Sequence, residues 1–255
     1  MNSRIAQNTY DFFKMEGKVA IITGAGNGIG KATAKMMASF GAIVIACDIE
    51  TDSVTETVAE IKTDGWTAKA FTCDITRPEQ IKSLVDQTLV DYGTVDILVN
   101  NGATLGGGKR VEEVDEKEFD RLINVNLKGV YYFIAAVLPI MREKQYGKIV
   151  NVSSVAALAG DFTDIHYSAA KGGVIAMTKT LARELALEKI NVNVVAPGLT
   201  NTRMAHEWEF APALERFYRI GEPEDMAAAI CFLASDSAGY FSGQVISPNG
   251  GEYMF

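Results

Sequence analysis

The sequence has few cysteines and no long apolar run. Its 255 residues include only Cys47, Cys73 and Cys231, which are far apart and show no Cys-x-x-Cys spacing. This argues against a disulfide framework or a metal site, and we expect small buried thiols in a reducing compartment. The longest apolar run, residues 129–141, contains Pro139 and falls short of the ~20 residues that cross a bilayer, so it predicts a buried helix.

Two further absences narrow the class of protein. Residues 1–17 lack the continuous apolar stretch of a secretory signal, so we expect a cytoplasmic protein with no membrane partner. The formal net charge is −8, and lysine and arginine are scattered instead of clustered. Nucleic acid is therefore not expected as a partner.

Short runs rich in β-branched residues alternate with longer segments of helical period. The runs predict strands at 18–23, 42–47, 67–73, 95–100, 147–153, 190–196 and 243–247. The periodic segments predict helices at 30–40, 51–65, 77–93, 116–143, 165–188 and 223–235. This alternation predicts a single α/β domain of the Rossmann type, a doubly wound parallel sheet of about seven strands in three layers with right-handed connections.

Two segments stand apart from this alternation. Residues 1–15 predict an N-terminal arm before a domain over 16–255. The stretch of about 200–220 is crowded with aromatic residues, Trp208, Phe210, Phe217 and Tyr218. It predicts either a substrate lid over an apolar pocket or an ordinary packed helix and loop.

The stretch TGAGNGIG, residues 23–30, follows the first predicted strand and opens the first predicted helix. Gly24, Gly28 and Gly30 would let the backbone turn sharply and approach a ligand, while free N–H groups and the helix dipole attract a pyrophosphate. A glycine triplet alone is weak evidence, because a tight strand-to-helix turn needs no ligand. Its place between strand and helix favours a dinucleotide site.

Asp48 closes the second predicted strand, where an acid can accept hydrogen bonds from an adenosine ribose. Its carboxylate would repel a 2′-phosphate, and Lys31 is the only basic residue near the glycine turn. The pattern therefore favours NAD over NADP as the cofactor. The alternative is a solvated carboxylate that only ends a strand.

Tyr167 and Lys171 lie four residues apart in HYSAAK, on one face of a predicted helix. A phenol with its ordinary pKa near 10 is a poor base at neutral pH, so we expect Lys171, assisted by an oxidised nicotinamide, to lower the pKa of Tyr167 by about 3. An exposed pair on an amphipathic helix is the alternative.

Ser154 ends the preceding strand region, thirteen residues before Tyr167. His166 is adjacent to the tyrosine and His206 lies in the predicted lid, so neither is placed to activate a serine, and both are expected to be bystanders or pocket lining. A Ser/His/Asp hydrolase is thereby excluded. Ser154 is expected to position a carbonyl or alcohol oxygen.

Together these motifs resemble the short-chain dehydrogenase/reductase family. The resemblance covers about residues 16–251 and rests on TGAGNGIG, Asp74 in CDIT, the asparagines of LVNNGA, Asn126 in NVNLKG, the Ser154, Tyr167 and Lys171 set, APGLTNT at 196–202 and GEPEDMAAAICFLASD at 221–236. It implies four catalytic residues, Asn126, Ser154, Tyr167 and Lys171. It also implies that Asn126 interrupts a helix and holds a water, and that Lys171 bonds the nicotinamide ribose.

The family motifs imply a cofactor site in which Asp74 and Ile75 flank adenine, 101–103 line a ribose, and Thr200 and Thr202 hold the carboxamide. The residues expected to line NAD are Gly24, Asn27, Gly28, Ile29, Gly30, Asp48, Asp74, Ile75, Asn101, Gly102, Ala103, Tyr167, Lys171, Pro197, Gly198, Thr200 and Thr202.

The chain departs from the family pattern at two places. Asn100-Asn101-Gly102-Ala103 replaces the usual Asn-Asn-Ala-Gly, and the next residues, TLGGGK at 104–109, are glycine-rich beside the expected substrate cleft. Asn249-Gly250-Gly251 stands where the family has Asp-Gly-Gly, which bears on end packing. By resemblance, helices at 129–141 and at Tyr167 pair across a two-fold axis in a dimer or tetramer.

The sequence thus predicts an NAD(H)-dependent oxidoreductase that interconverts a secondary alcohol and a ketone. The aromatic residues of 203–218 favour an apolar cyclic, steroid-like or aryl alcohol, whereas Asp161, Asp164 and His166 would suit a sugar or polyol. A 3-oxoacyl thioester reductase using NADP(H) is a further alternative. A cofactor-sensing binding protein without turnover is the non-enzymatic one.

Overall fold

The computed structural model of the chain describes residues 13–161, 163–206 and 219–254. Most of the predicted N-terminal arm and the four aromatic residues of the predicted lid lie outside the described residues. The strands are β1 Val19–Thr23, β2 Ile43–Asp48, β3 Ala68–Thr72, β4 Ile97–Asn100, β5 Gly147–Val152, β6 Ile190–Val195 and β7 Val245–Ile246.

Nine α-helices occur in the described residues, two of them single turns. They are α1 Gly28–Ser39, α2 Thr51–Thr63, α3 Pro78–Tyr92, α4 Glu116–Ile123, α5 Gly129–Lys144, α6 Ala156–Ala159, α7 Ile165–Glu184, α8 Arg203–His206 and α9 Pro223–Ala234. Each predicted helix is found. The one expected at 116–143 is divided into α4 and α5 by a π-helical turn, Asn124–Lys128.

All seven strands pair in parallel, in the order β3-β2-β1-β4-β5-β6-β7. The residues of β1, β4 and β5 are buried throughout, because helices cover both faces of the sheet. One apolar cluster packs α1, α2 and α9 on one face, and a second packs α3, α5 and α7 on the other. The structure is therefore the expected three-layered, Rossmann-like domain.

The stretch Glu116–Lys144 is long and apolar enough, by length and composition, to cross a membrane. In the fold, however, Val130, Phe133, Val137 and Met141 point from α5 into the core beneath the sheet. The periodic burial identifies α5 as a core helix of this domain, as its sequence predicted.

The sheet topology determines where the polar residues gather. The chain leaves β1 toward β2 on one side and returns as β4 on the other, so the strand order reverses between β1 and β4. In open parallel sheets a crevice forms at such a reversal, outside the carboxyl ends of the strands. The predicted glycine turn, Asn101 and Ser154 all follow strands that end at this edge.

Candidate active site

The glycine turn after β1 is held against the end of β4. Asn101 donates from Nδ2 to the carbonyls of Thr23 and Gly24, both at 3.1 Å, and its backbone N–H donates to Thr23 Oγ1 at 2.9 Å. Gly24 has φ of +63°, and a Cβ there would lie 2.8 Å from Gly102 Cα. The turn therefore needs a glycine for both its conformation and its close approach.

The first turn of α1 packs directly against the glycine turn. A Cβ on Gly30 would lie 2.0 Å from the Gly24 carbonyl oxygen, so only glycine fits this turn. Asn27 precedes α1 in extended conformation without capping it through its side chain, whereas Ile29 packs against the core. Uncapped N–H groups at a helix start, beside a glycine cradle, fit the pyrophosphate of a dinucleotide.

Asp48 lies beside this turn, as predicted. Its Oδ2 accepts a hydrogen bond from Gly26 N–H at 2.9 Å, and its Oδ1 accepts one from Glu50 N–H at 3.0 Å. Lys31, the basic residue expected near the glycine turn, is instead bound to Glu60 at 2.7 Å. The carboxylate is thus fixed at the end of β2, next to the cradle, with Lys31 engaged elsewhere.

An arginine that the sequence did not indicate reaches this end of the cleft. Arg203 begins α8 and binds both carboxylate oxygens of Glu50, at 2.7 and 3.0 Å. Thr202, the residue before Arg203, lies close to the glycine turn: a Cβ on Gly28 would be 3.0 Å from Thr202 Cγ2. Thr202 and Arg203 therefore cover the glycine turn. Arg203 and Glu50 are 153 residues apart, so no local sequence pattern could predict their contact.

The expected adenine side is built from the turn after β3. Asp74 Oδ1 accepts hydrogen bonds from the Thr76 amide and hydroxyl, at 2.9 and 2.7 Å, so this carboxylate orders its own turn. The neighbouring Ile75 packs on Gly102, where a Cβ would lie 3.1 Å from Ile75 Cδ1. Ala103 follows directly, so the segment expected to line a ribose lies against the adenine side.

The segment 197–202 forms the opposite wall. The Pro197 carbonyl accepts from Val155 N–H at 2.8 Å, next to Ser154. A Cβ on Gly198 would lie 2.7 Å from Asn249 Cα, so this glycine permits close packing of the C-terminal turn. Thr200 bridges to Gly221 in parallel fashion, which fixes the backbone expected to hold a carboxamide.

Tyr167, Ser154 and Lys171 come together at the carboxyl end of β5. A hydrogen bond joins Ser154 to the Tyr167 phenol. Lys171 is 2% exposed, lies with Nζ 5.8 Å from the centre of the Tyr167 ring, and donates to the Val152 carbonyl at 2.9 Å. The ammonium therefore points inward toward the cleft floor, which rules out the exposed pair.

The expected lowering of the phenol pKa is not found in the protein without cofactor. Desolvation raises the pKa of Tyr167 to about 12, which the Ser154 hydrogen bond opposes and the Asp161 and Asp164 carboxylates reinforce. Burial likewise lowers the pKa of Lys171 to about 8. Loss of water disfavours the charged form of each group, and it is the largest effect on both pKa values.

Asn126 is fully buried within the π-helical turn. Its Oδ1 accepts from Thr104 N–H at 3.0 Å, and its Nδ2 donates to the Thr104 carbonyl at 2.9 Å. The helix is therefore interrupted at Asn126, as the resemblance implied. Its side-chain amide is engaged with Thr104, so it positions the segment that follows Ala103.

Asp164 and His166, which the sequence suggested as contacts for a polyol substrate, do not face an open pocket. The carboxylate of Asp164 is buried and accepts hydrogen bonds from the Gly108 and Lys109 amides, both at 3.0 Å. The ring of His166 is also fully buried, so it does not line an open pocket. His206 is exposed and lies 2.8 Å from Asn201 Oδ1, which agrees with the expected role as a bystander.

Comparisons with known proteins agree with this geometry. Residues 18–212 match the family model of the short chain dehydrogenases. The chain is 43% identical over 243 residues to the 3-oxoacyl-[acyl-carrier-protein] reductase FabG of Thermotoga maritima, covering 93% of this chain and 98% of that protein.

Two further relatives differ in their named substrates. The chain is 38% identical to the (2S)-[(R)-hydroxy(phenyl)methyl]succinyl-CoA dehydrogenase subunit BbsD of Thauera aromatica, covering 94% and 98% of the two chains. The crystal structure of levodione reductase superposes with a TM-score of 0.87 at 30% identity, over 93% of this chain and 98% of that one. The chain therefore belongs to the short-chain dehydrogenase/reductase family and is an oxidoreductase.

Proposed function

We propose that the protein is an NAD(H)-dependent oxidoreductase that interconverts a secondary alcohol and a ketone, with Asn126, Ser154, Tyr167 and Lys171 as its functional set. The observation that carries this is the Tyr167 phenol, hydrogen-bonded to Ser154 with the buried Lys171 one helical turn away. A nicotinamide cofactor would accept or give the hydride.

Tyr167 exchanges a proton with the substrate oxygen. In the oxidising direction the phenolate removes the hydroxyl proton, and in the reducing direction the phenol gives it back. Ser154 orients the oxygen, since its hydroxyl already bonds the phenol. Lys171 supplies a positive charge that favours the phenolate, and the oxidised ring of the cofactor adds to it to overcome the desolvation of Tyr167.

NAD is preferred over NADP because the ribose end of the cradle is acidic. Asp48 and Glu50 lie side by side there, and Arg203 is bound to Glu50 by two hydrogen bonds. A 2′-phosphate would face the Asp48 carboxylate with the nearest cations engaged in ion pairs. Fluorescence titration should give an NADH Kd at least about tenfold below that of NADPH, and equal affinities would contradict the preference.

A 3-oxoacyl or 3-hydroxyacyl thioester is the substrate class that the comparisons support best. Both curated relatives above carry thioester substrates in their names, one on an acyl-carrier protein and one on coenzyme A. Levodione reductase supports a second candidate, a cyclic ketone, which agrees with the apolar class predicted from sequence. The polyol alternative is weakened, because Asp164 and His166, which were expected to suit a polyol, are both buried.

A substrate screen separates these candidates. NADH oxidation is followed with acetoacetyl-CoA and with levodione, and NAD⁺ reduction is followed with a sugar alcohol. We expect the highest kcat/KM with acetoacetyl-CoA. A higher value for levodione would favour the cyclic ketone, and tight NADH binding without turnover on any probe would favour the cofactor-sensing protein.

The same proposal includes a homo-oligomer in the cytoplasm. Large apolar side chains are exposed on two helices, Tyr131 of α5 and Ile165 of α7, which are 54% and 52% exposed. Exposed apolar patches of this kind favour association with a second copy. The three cysteines are free and buried, which agrees with a reducing compartment.

A further inference from the structure

Residues 104–109, TLGGGK, follow the segment expected to line the cofactor, and we call them the cleft loop. The first residues of this loop are held by α4 and the π-helical turn. Asn126 bonds both the amide and the carbonyl of Thr104. Arg121 donates to Thr104 Oγ1 and to the Leu105 carbonyl, both at 3.0 Å. This end therefore moves with the catalytic core.

The far end of the cleft loop depends on Asp164. The carboxylate is 1% exposed, and its two oxygens accept one backbone N–H each, from Gly108 and from Lys109. The Asp164 amide in turn donates to the Lys109 carbonyl at 2.9 Å. Buried charge-assisted hydrogen bonds of this kind hold a loop more firmly than exposed ones.

Asp164 also begins the helix that carries the catalytic tyrosine. Its carbonyl accepts the amides of Tyr167 and Ser168, at 2.9 and 3.2 Å, and its own φ is +57°. One residue thus fixes the cleft loop through its side chain and the start of α7 through its main chain. The distance between the loop and the phenol is set at this point.

The middle of the loop lies directly on the same residue. A Cβ on Gly106 would be 2.4 Å from His166 Cε1 and 2.6 Å from Asp164 Oδ1. Neither neighbour can give way easily, since both side chains are buried. The close packing of Gly106 on Asp164 and His166 therefore holds the loop against Asp164 independently of the hydrogen bonds.

We propose that Asp164 is a positioning residue that sets substrate affinity by holding the cleft loop against the start of α7. This rests on the proposed function, because the loop acts as a wall only if the ketone binds beside Tyr167. Since Asn126 and Arg121 hold the near end separately, loosening the far end affects substrate binding more than the chemical step or the cofactor.

Two variants test the proposal from different sides. Asp164→Asn keeps the size and the tolerance for positive φ but places an amide NH₂ against one of the two N–H donors. Gly106→Ala leaves the carboxylate intact and pushes the loop outward. Lys109→Met is the matched control, because it removes the partly buried ion pair with Glu118 and keeps the backbone N–H that Asp164 accepts.

Steady-state kinetics use NADH with whichever of acetoacetyl-CoA and levodione the wild type reduces faster. In both variants we expect KM for the ketone to rise about tenfold, kcat to stay within about threefold and the NADH Kd within about twofold, while the control keeps the wild-type KM. Amide hydrogen exchange at Gly108 and Lys109 should accelerate in Asp164→Asn.

The outcomes distinguish this inference from the function on which it rests. If the wild type reduces neither ketone, the proposed function fails and the inference with it. If the wild type is active and both variants keep its KM, the inference alone is overturned. A loss of kcat together with NADH binding would also overturn it, because Asp164 would then support the fold at large.

Discussion

Loss of water governs the pKa values of two side chains at the end of β5. The phenol of Tyr167 and the ammonium of Lys171 are each destabilised in their charged forms by loss of water, which leaves a tyrosine with a pKa of about 12 in the absence of cofactor. A ligand that brings positive charge to this site would therefore change the protonation of Tyr167 more than any neighbour in the chain does.

Tyr167→Phe removes the hydroxyl that exchanges the substrate proton and keeps the ring. General acid–base catalysis contributes 10²–10⁴-fold, so we expect kcat to fall by about 10³-fold while the NADH Kd changes by less than about threefold. Steady-state kinetics and fluorescence titration give the two values. Retained turnover would remove Tyr167 from the mechanism.

Lys171→Met should stabilise the protein without cofactor at pH 7. Because burial lowers the pKa of Lys171 to about 8, the unfolded chain binds more protons than the folded one between about pH 8 and 10.4, and wild-type stability gains with pH in that window. Replacing the buried charge by an apolar side chain should add about 2 kcal/mol to the free energy of unfolding at pH 7, and the gain should shrink toward pH 10.

Urea unfolding at pH 7 and pH 10 measures this difference. Lys62→Met is the control, because Lys62 is exposed on α2 and its loss should change stability by less than about 0.5 kcal/mol at either pH. An Lys171→Met protein that is less stable than wild type at pH 7 would show that the bond to Val152 outweighs the desolvation of the ammonium.

At the scale of elements, the start of α1 is the place where sequence and structure agree most closely. Gly30→Ala would put a Cβ 2.0 Å from the Gly24 carbonyl and displace the turn. We expect NADH affinity to fall by more than about tenfold, since the cradle depends on that close approach. Gly65→Ala is a matched control.

Gly65 also has a positive φ, +89°, but nothing lies within 4 Å of its Cβ position and the turn is remote from the cradle. Its substitution should cost about 1 kcal/mol of stability and leave the NADH Kd unchanged. Thermal unfolding and titration of both variants separate a general loss of stability from a loss of binding. Equal effects on NADH would contradict the assignment of the cradle.

The elements also show what a sequence can predict. Strands and helices followed from their periods, and Asp48, Ser154 and Tyr167 followed from their places at strand ends and helix starts. The π-helical turn did not follow from periodicity, because side-chain spacing does not show whether an amide bonds the carbonyl four or five residues before it. Only the family resemblance placed an interruption at Asn126. The bonds from Asp164 to 108–109 and the Arg203 pair with Glu50 were missed, since each joins segments far apart in the chain.

At the scale of the whole molecule, the exposed apolar residues of α5 and α7 predict an interface between copies. Tyr131→Asp should place a charge in that interface and lower the mass measured by light scattering to that of a monomer. Leu187→Asp is the control, because Leu187 is 94% exposed in the turn after α7. An unchanged mass for Tyr131→Asp would place the interface elsewhere.

The bond from Asn101 to the carbonyls of Thr23 and Gly24 has a consequence for biosynthesis. The phosphate cradle begins near residue 23, yet it is closed by a side chain that the ribosome adds almost eighty residues later, and β1 gains its second neighbour only with β4. A nascent chain that stops before Asn101 has no finished nucleotide pocket. We therefore expect a free nicotinamide cofactor to speed maturation only after that point of translation.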